Sequence, residues 1–303
     1  MKIMYDVTIF GINLTIDPVA FRLPIGENGW TVYWYGVIIA IGFVLAIVYG
    51  YFNAKRFGIN VDRMLDVVLI TTIPAILGAR AYYVIFDPNG KISSLKEFFG
   101  FGGSGFSGLA IYGGVITAVV VGCLAAKIRK VKIPDLLDLA AIAFLIGQGI
   151  GRWGNFVNQE AYGGFTGSNF WGMTSNKIAL QMGSDALVHP CFLYESVWCL
   201  LGVLVLHLLS RKRAFSGEVA LMYCVWYGFG RAFIEITRTD SLMLGNAKVS
   251  LLLSVALCIA GIVAIVLLRT KKKKAVFAET YEAMFRDEIE QDSAIQEEST
   301  QEE

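Results

Sequence analysis

Charge is scarce in this chain of 303 residues: Asp, Glu, Lys and Arg make up 17% of it against 55% hydrophobic residues, and the mean hydropathy is +0.58. So little charge cannot cover the surface of a soluble domain, which leaves an integral membrane protein. There is no Cys-x-x-Cys, and no Cys pairs with either of the two His at ligand spacing, so neither a zinc site nor a disulfide framework is suggested. Cys123, Cys191, Cys199, Cys224 and Cys258 lie in or beside apolar runs and read as small buried hydrophobes. Residues 1 to 28 lack the basic start, short apolar core and small-residue cleavage site of a signal peptide and are read as mature protein. A Met-Gly start and a terminal CaaX are missing too, so no lipid anchor is expected. The net charge of +1 conceals segregated charges and gives no reason to expect a nucleic-acid partner.

What is present in abundance is long apolar runs. A spanning helix needs about 20 mostly apolar residues. Seven runs qualify: Thr31 to Phe52, Leu65 to Phe86, Gly105 to Lys127, Leu136 to Arg152, His189 to Ser210, Glu218 to Arg238 and Val249 to Arg269. The expected fold is an all-α integral membrane protein of seven transmembrane helices over residues 1 to 270, with a kink at Pro74. Basic residues follow the first, third, fifth and seventh spans: Lys55, Arg56 and Arg63; Lys127 to Lys132; Arg211 to Arg213; Arg269 to Lys274. The opposite side carries only Lys2, Arg22, Lys91, Lys96, Lys177 and Lys248. The positive-inside rule then puts the N-terminus outside and the C-terminus in the cytoplasm. Residues 153 to 188 form the longest connection and read as a small extracytoplasmic head. Residues 271 to 303 turn from basic to acidic and read as a fraying cytoplasmic tail. The glycine-rich run Gly100 to Gly105 matches neither the P-loop nor the dinucleotide fingerprint and reads as a flexible connection.

Within this apolar background a few charges fall at membrane depth, where they are costly and count as functional candidates. Arg152 ends the fourth span and is followed by Asn155, Asn158, Gln159 and Glu160. Tyr227, Arg231, Glu235 and Arg238 are spaced to share one face of the sixth span. His189 and Glu195 open the fifth, and Glu195 calls for an arginine partner. Arg152, Arg231 and Arg238 thus meet in the outer half of the membrane, and Arg80 is placed to join them. A plain ion pair that only holds helices together leaves the excess of arginine unexplained, whereas an anionic ligand explains it. The planar fork of arginine suits phosphate. His207 falls near the other end of the fifth span, away from this group.

The run Gly151-Arg152-Trp153-Gly154-Asn155-Phe156-Val157-Asn158-Gln159-Glu160-Ala161-Tyr162-Gly163 resembles the signature of the bacterial prolipoprotein diacylglyceryl transferases. His189-Pro-x-x-x-Tyr194-Glu195 and Tyr227-Gly-x-x-Arg231-x-x-x-Glu235 resemble the same family in order and topology, and the likeness covers about residues 1 to 270. The resemblance implies a seven-helix enzyme of the bacterial inner membrane whose active site faces the outer leaflet. Its reaction would move a diacylglyceryl group from phosphatidylglycerol to the lipobox cysteine of a prolipoprotein, giving a thioether and glycerol phosphate. The resemblance places the family's important arginines on Arg152 and Arg231, a further arginine on Arg238, its asparagine on Asn155, its acids on Glu160 and Glu235, and its tyrosines on Tyr35 and Tyr227. It places a further aspartate on Asp138. One departure concerns the third span, where some members carry His-Gly-Gly and this chain reads Tyr112-Gly113-Gly114. A phenol is a poor base at neutral pH, so Tyr112 leaves the proton acceptor open.

No metal, nucleotide or other cofactor is called for, because the phosphodiester already supplies a leaving group. A transporter or flippase that guides an anionic lipid or solute past the same arginines is the alternative. Many transporters show internal repeats, and none is found here.

Overall fold

Residues 5 to 16 alternate polar and apolar side chains around Phe10-Gly11, and both turn residues have positive φ, the backbone a two-residue hairpin requires. They form β1 (Tyr5–Ile9) and β2 (Ile12–Ile16), so the expectation of an all-α chain is corrected here. Further strands follow: β3 (Val19–Leu23) pairs with β4 (Trp30–Tyr33), and β5 (Met173–Ser175) joins the other edge of β1 in the order β2-β1-β5. This computed structural model describes residues 4–24, 30–86, 98, 108, 110–239, 243–244 and 247–272. The glycine-rich run 100–105, Lys2, Lys91, Lys96, Lys273, Lys274 and the acidic tail lie outside the described residues.

The helices are α1 (Trp34–Asn53), α2 (Val61–Phe86), α3 (Ile111–Ile128), α4 (Ile133–Asn158), the short α5 (Asn176–Met182), α6 (Cys191–Leu209), α7 (Glu218–Thr237) and α8 (Val249–Lys272). Six of the described helices are long and apolar enough to cross a membrane, and the apolar stretch of α3, Tyr112–Ile128, is shorter. Short strands β6 (Met243–Leu244) and β7 (Ala247–Lys248) separate α7 from α8. Helix α4 is the centre, packing on α1, α6 and α7, while α2 and α3 pack chiefly on each other.

Strands and α5 gather at one end of the bundle as a head. Met173, Ile178, Val188 and Phe192 are buried there, and Phe156 of α4 stacks on Phe192 of α6 with ring centroids 4.6 Å apart. The head therefore shares its core with two helix ends and cannot tilt without disturbing them. The N-terminal strands belong to it as much as residues 159 to 188 do, because β1 pairs Val7 with Ser175.

At the opposite end Asp138, fully buried, accepts from Arg213 Nη1 at 2.8 Å and from the backbone N–H groups of Gly217 and Ala220 at 2.9 Å. A carboxylate against the first turn of α7 satisfies donors that the helix itself leaves orphaned. Asp138 and Arg152 lie on one helix but about 21 Å apart at 1.5 Å per residue, so Asp138 anchors the bundle and is no part of the arginine group. Beside it His207 meets Tyr49 Oη at 2.9 Å and Arg56, in keeping with its expected distance from the arginines.

A reciprocal clamp registers α6 against α7. Trp198 Nε1 donates to the carbonyl of Trp226 at 2.9 Å, and Trp226 Nε1 donates to that of Trp198 at 3.1 Å, with the rings stacked 4.4 Å apart. Each indole lies over the glycine one turn beyond its partner: a Cβ on Gly202 would stand 2.4 Å from Trp226 Nε1, and one on Gly230 2.0 Å from Trp198 Nε1. The clamp places Arg231, next to Gly230, opposite Glu195, one turn before Trp198. Gly230→Ala is expected to destabilise the bundle by about 1–3 kcal/mol, the usual cost of forcing an atom into a filled site. A thermal unfolding midpoint in detergent, compared with the parent, checks this.

Candidate active site

Arginines from two helices converge on one carboxylate. Glu195 is 3% exposed; its Oε1 meets Arg231 Nη1 and lies 3.6 Å from Arg238 Nη1, and its Oε2 meets Arg152 Nη2. Arg231 also pairs with Glu235 of its own helix at 2.6 Å, an i,i+4 pair, and Glu235 is fully buried. A buried carboxylate with three guanidinium partners holds their relative positions, since moving any one would expose unpaired charge in a poor solvent. The partner that Glu195 called for is thus supplied by all three.

Arg152 faces a second polar group as well. Its Nη1 donates to Asn155 Oδ1 at 3.2 Å, and Asn155 Nδ2 donates to Glu160 Oε1 at 3.0 Å, with Asn158 Nδ2 at 3.5 Å from the same oxygen. Helix α4 runs six residues past the span expected to end at Arg152, because these side chains stay helical until Gln159. Gln159 adopts a left-handed backbone, φ 51, with Ala161 at φ 55; between them the chain reverses and returns Glu160 to Asn155. Strained non-glycine backbone of this kind persists where surrounding contacts over-determine it, and here the buried Gln159 side chain donates to the carbonyl of Phe156 at 2.5 Å.

The site opens on a cavity of about 530 Å³ between α1 and α4. Tyr35, Arg152, Asn155 and Tyr227 form its polar mouth, and Ile39, Phe43, Ala143, Phe144 and Met64 line the walls that run toward the opposite end. Tyr35 stands close because Gly154 has no side chain: a Cβ there would come within 2.7 Å of the Tyr35 ring. A charged mouth on a long apolar pocket suits an amphiphile with an anionic head and hydrocarbon tails.

Of the residues singled out from sequence, Arg152, Arg231, Arg238, Glu195, Glu235, Asn155, Glu160, Tyr35 and Tyr227 are brought together. His189 sits where head and bundle meet, its Nδ1 3.2 Å from Tyr194 Oη, and Tyr194 also accepts from the Trp171 indole at 2.7 Å. Tyr112 is placed on α3 with 63% exposure, its described ring neighbour being Tyr82 at 6.5 Å, and the cavity wall does not include it. Arg80 is turned to the carbonyls of Phe98 at 3.0 Å and Gly108 at 3.1 Å, and its guanidinium lies 5.8 Å from the Tyr83 ring. Sequence reasoning missed Lys248, whose Nζ donates at 2.7 Å to the carbonyls of Glu235 and Arg238 and so caps α7 behind the site. A lysine eleven positions past a helix end carries no local signal. It also missed Lys177, which reaches from α5 to the Asn158 carbonyl at 2.7 Å, and the Trp-x-x-x-Gly spacing of 198/202 and 226/230, which was visible in both helices.

Residues 18–267 match the family described as prolipoprotein diacylglyceryl transferase. Among curated proteins, the phosphatidylglycerol--prolipoprotein diacylglyceryl transferase of Clostridium novyi strain NT is 38% identical over 265 residues, which is 85% of this chain and 98% of that protein. The protein of the same name from Bacillus cytotoxicus is 40% identical over 251 residues, and that of Bacillus cereus strain 03BB102 is 41% identical over 251 residues; each alignment covers 82% of this chain and 92% of the relative.

Proposed function

The chain belongs to the prolipoprotein diacylglyceryl transferase family, and on that premise we propose that it transfers a diacylglyceryl group from phosphatidylglycerol to the lipobox cysteine of prolipoproteins. The observation that carries this reading is Arg152 at the mouth of the apolar cavity, joined through Glu195 to Arg231: phosphate on Arg152 and Arg231, acyl chains in the pocket between α1 and α4.

The step follows from the chemistry of the groups. The client's thiol gives its proton to solvent, and the thiolate sulfur attacks the glycerol carbon of the diacylglyceryl group that carries the phosphate. A C–S bond forms, the C–O bond breaks, and its electron pair leaves with glycerol phosphate, which gains one negative charge. Arg152 and Arg231 stabilise that charge where water is scarce. The two bonds Arg152 makes, to Glu195 and Asn155, use only part of its five-donor fork. Asn155 and Glu160 orient Arg152 and the headgroup, Glu235 positions Arg231, and Tyr35 and Tyr227 bound the mouth. Helix α3 serves as the seventh span. The head lies outside the bacterial inner membrane, with the site toward the outer leaflet and the C-terminus in the cytoplasm, as the distribution of basic residues favours.

Incubating a lipobox peptide with membranes containing the protein and phosphatidylglycerol should yield a peptide heavier by one diacylglyceryl group on mass spectrometry. An unmodified peptide together with lipid moved across the bilayer would point to a transporter and overturn the proposal. Gly147 offers a narrower test of the tail site, because a Cβ there meets nothing within 4 Å while the residue lines the cavity. Gly147→Leu should fold normally and occupy the space of about four methylenes, raising KM for phosphatidylglycerol about 100-fold. Steady-state kinetics in mixed micelles reads this, and an unchanged KM would place the chains elsewhere.

A further inference from the structure

Gln148 is a polar side chain among the apolar residues that line the cavity below its polar mouth, one helical turn deeper than Arg152 on the same face of α4. Its Nε2 lies 3.0 Å from Tyr223 Oη, while its Oε1 is buried and has no hydrogen-bond partner among the described residues. Tyr223 in turn stacks on Tyr227, which lines the same cavity, with centroids 5.6 Å apart and planes 5° apart. An amide with an unmet valence at membrane depth is costly, and a buried polar atom without a partner calls for a reason. A bond that merely joined α4 to α7 would explain one end of the amide and not the other.

The depth of Gln148 supplies the reason. The ester-bearing carbons of a diacylglyceryl lipid follow directly on its phosphate, so with the phosphate at Arg152 the acyl ester linkages lie about one helical turn deeper, about 6 Å. Ester carbonyls only accept. The oxygen and nitrogen of a glutamine amide exchange places by a half-turn of its last torsion, and the hydroxyl of Tyr223 can then donate to Oε1. Both N–H bonds of Nε2 are then left without a protein partner among the described residues, in a residue that lines the cavity.

We propose that Gln148 is a specificity-determining residue that donates a hydrogen bond to an acyl ester carbonyl of the bound lipid, selecting ester-linked diacylglyceryl donors over ether-linked ones. The inference rests on the transferase reading above. It extends that reading from the phosphate to the linkage of the chains.

The experiment measures transfer to a lipobox peptide from vesicles of diacyl phosphatidylglycerol and, separately, of the dialkyl ether analogue with the same chains. One neutral hydrogen bond corresponds to about a fivefold preference for the ester lipid in the parent protein. Gln148→Met should bring the ester rate down to the ether rate and leave the ether rate unchanged. Tyr223→Phe removes the tether and keeps the amide, so it should retain the preference. Equal rates for both lipids in the parent protein would overturn the inference whether or not the variants fold. So would an equal slowing of both lipids by Gln148→Met, or loss of the preference in Tyr223→Phe, since either would assign the amide to helix packing. Failure of the parent protein to use either lipid would overturn the transferase reading, and this inference with it.

Discussion

Replacing Arg152 with alanine is expected to lower diacylglyceryl transfer by about 100- to 1000-fold, the range seen when a preorganised donor to a developing negative charge is removed. The protein should remain folded. Glu195 would still have Arg231 and Arg238, so no carboxylate is stranded by the change. Arg152→Lys should recover little of the loss, because an ammonium group is a single point of charge and cannot bridge Glu195, Asn155 and a phosphate at once as the guanidinium fork does. Mass spectrometry of the lipobox peptide over a time course reads the rate. Turnover within tenfold of the parent would remove Arg152 from the chemistry.

Glu195→Ala is expected to act the other way, through stability. The carboxylate is nearly inaccessible, and deleting it takes from Arg152 the ion pair that holds it, takes one partner from Arg238, and leaves Arg231 with Glu235. Removing one partner of a buried ion pair costs about 3–5 kcal/mol, because the remaining charge stays buried and unmatched. The unfolding midpoint in detergent should fall accordingly, and transfer should fall with it as the guanidinium groups repel one another. Glu195→Gln keeps the shape and the accepting oxygen and should restore part of the stability. If Glu195→Ala melts with the parent, the cluster is held together by something other than this carboxylate. The contrast between the two substitutions separates a group that touches substrate from one that arranges those groups.

Much of this could be read before any coordinates were known, for a physical reason. Membrane spans announce themselves by length, since a helix must stay apolar for the thickness of the bilayer. Charges inside such runs are rare enough to be noticed singly, so Arg152, Arg231, Arg238 and Glu195 stood out against their neighbours. The alternation in residues 5 to 16 was equally visible, but its meaning depended on a partner strand at residues 173 to 175, far along the chain, and it was passed over.

Composition and spacing were therefore enough for the membrane class, six of the seven expected spans and the family's motifs, because each of these is a local property of the chain. Tertiary structure decided that one carboxylate serves three arginines, that Asp138 belongs to the opposite end, that Tyr112 stands apart, and that a cavity with Gln148 in its wall opens beneath Arg152. Those features arise from side chains on different helices meeting across the bundle. Their register comes from contacts such as the Trp198–Trp226 clamp, in which each indole depends on a glycine of the other helix.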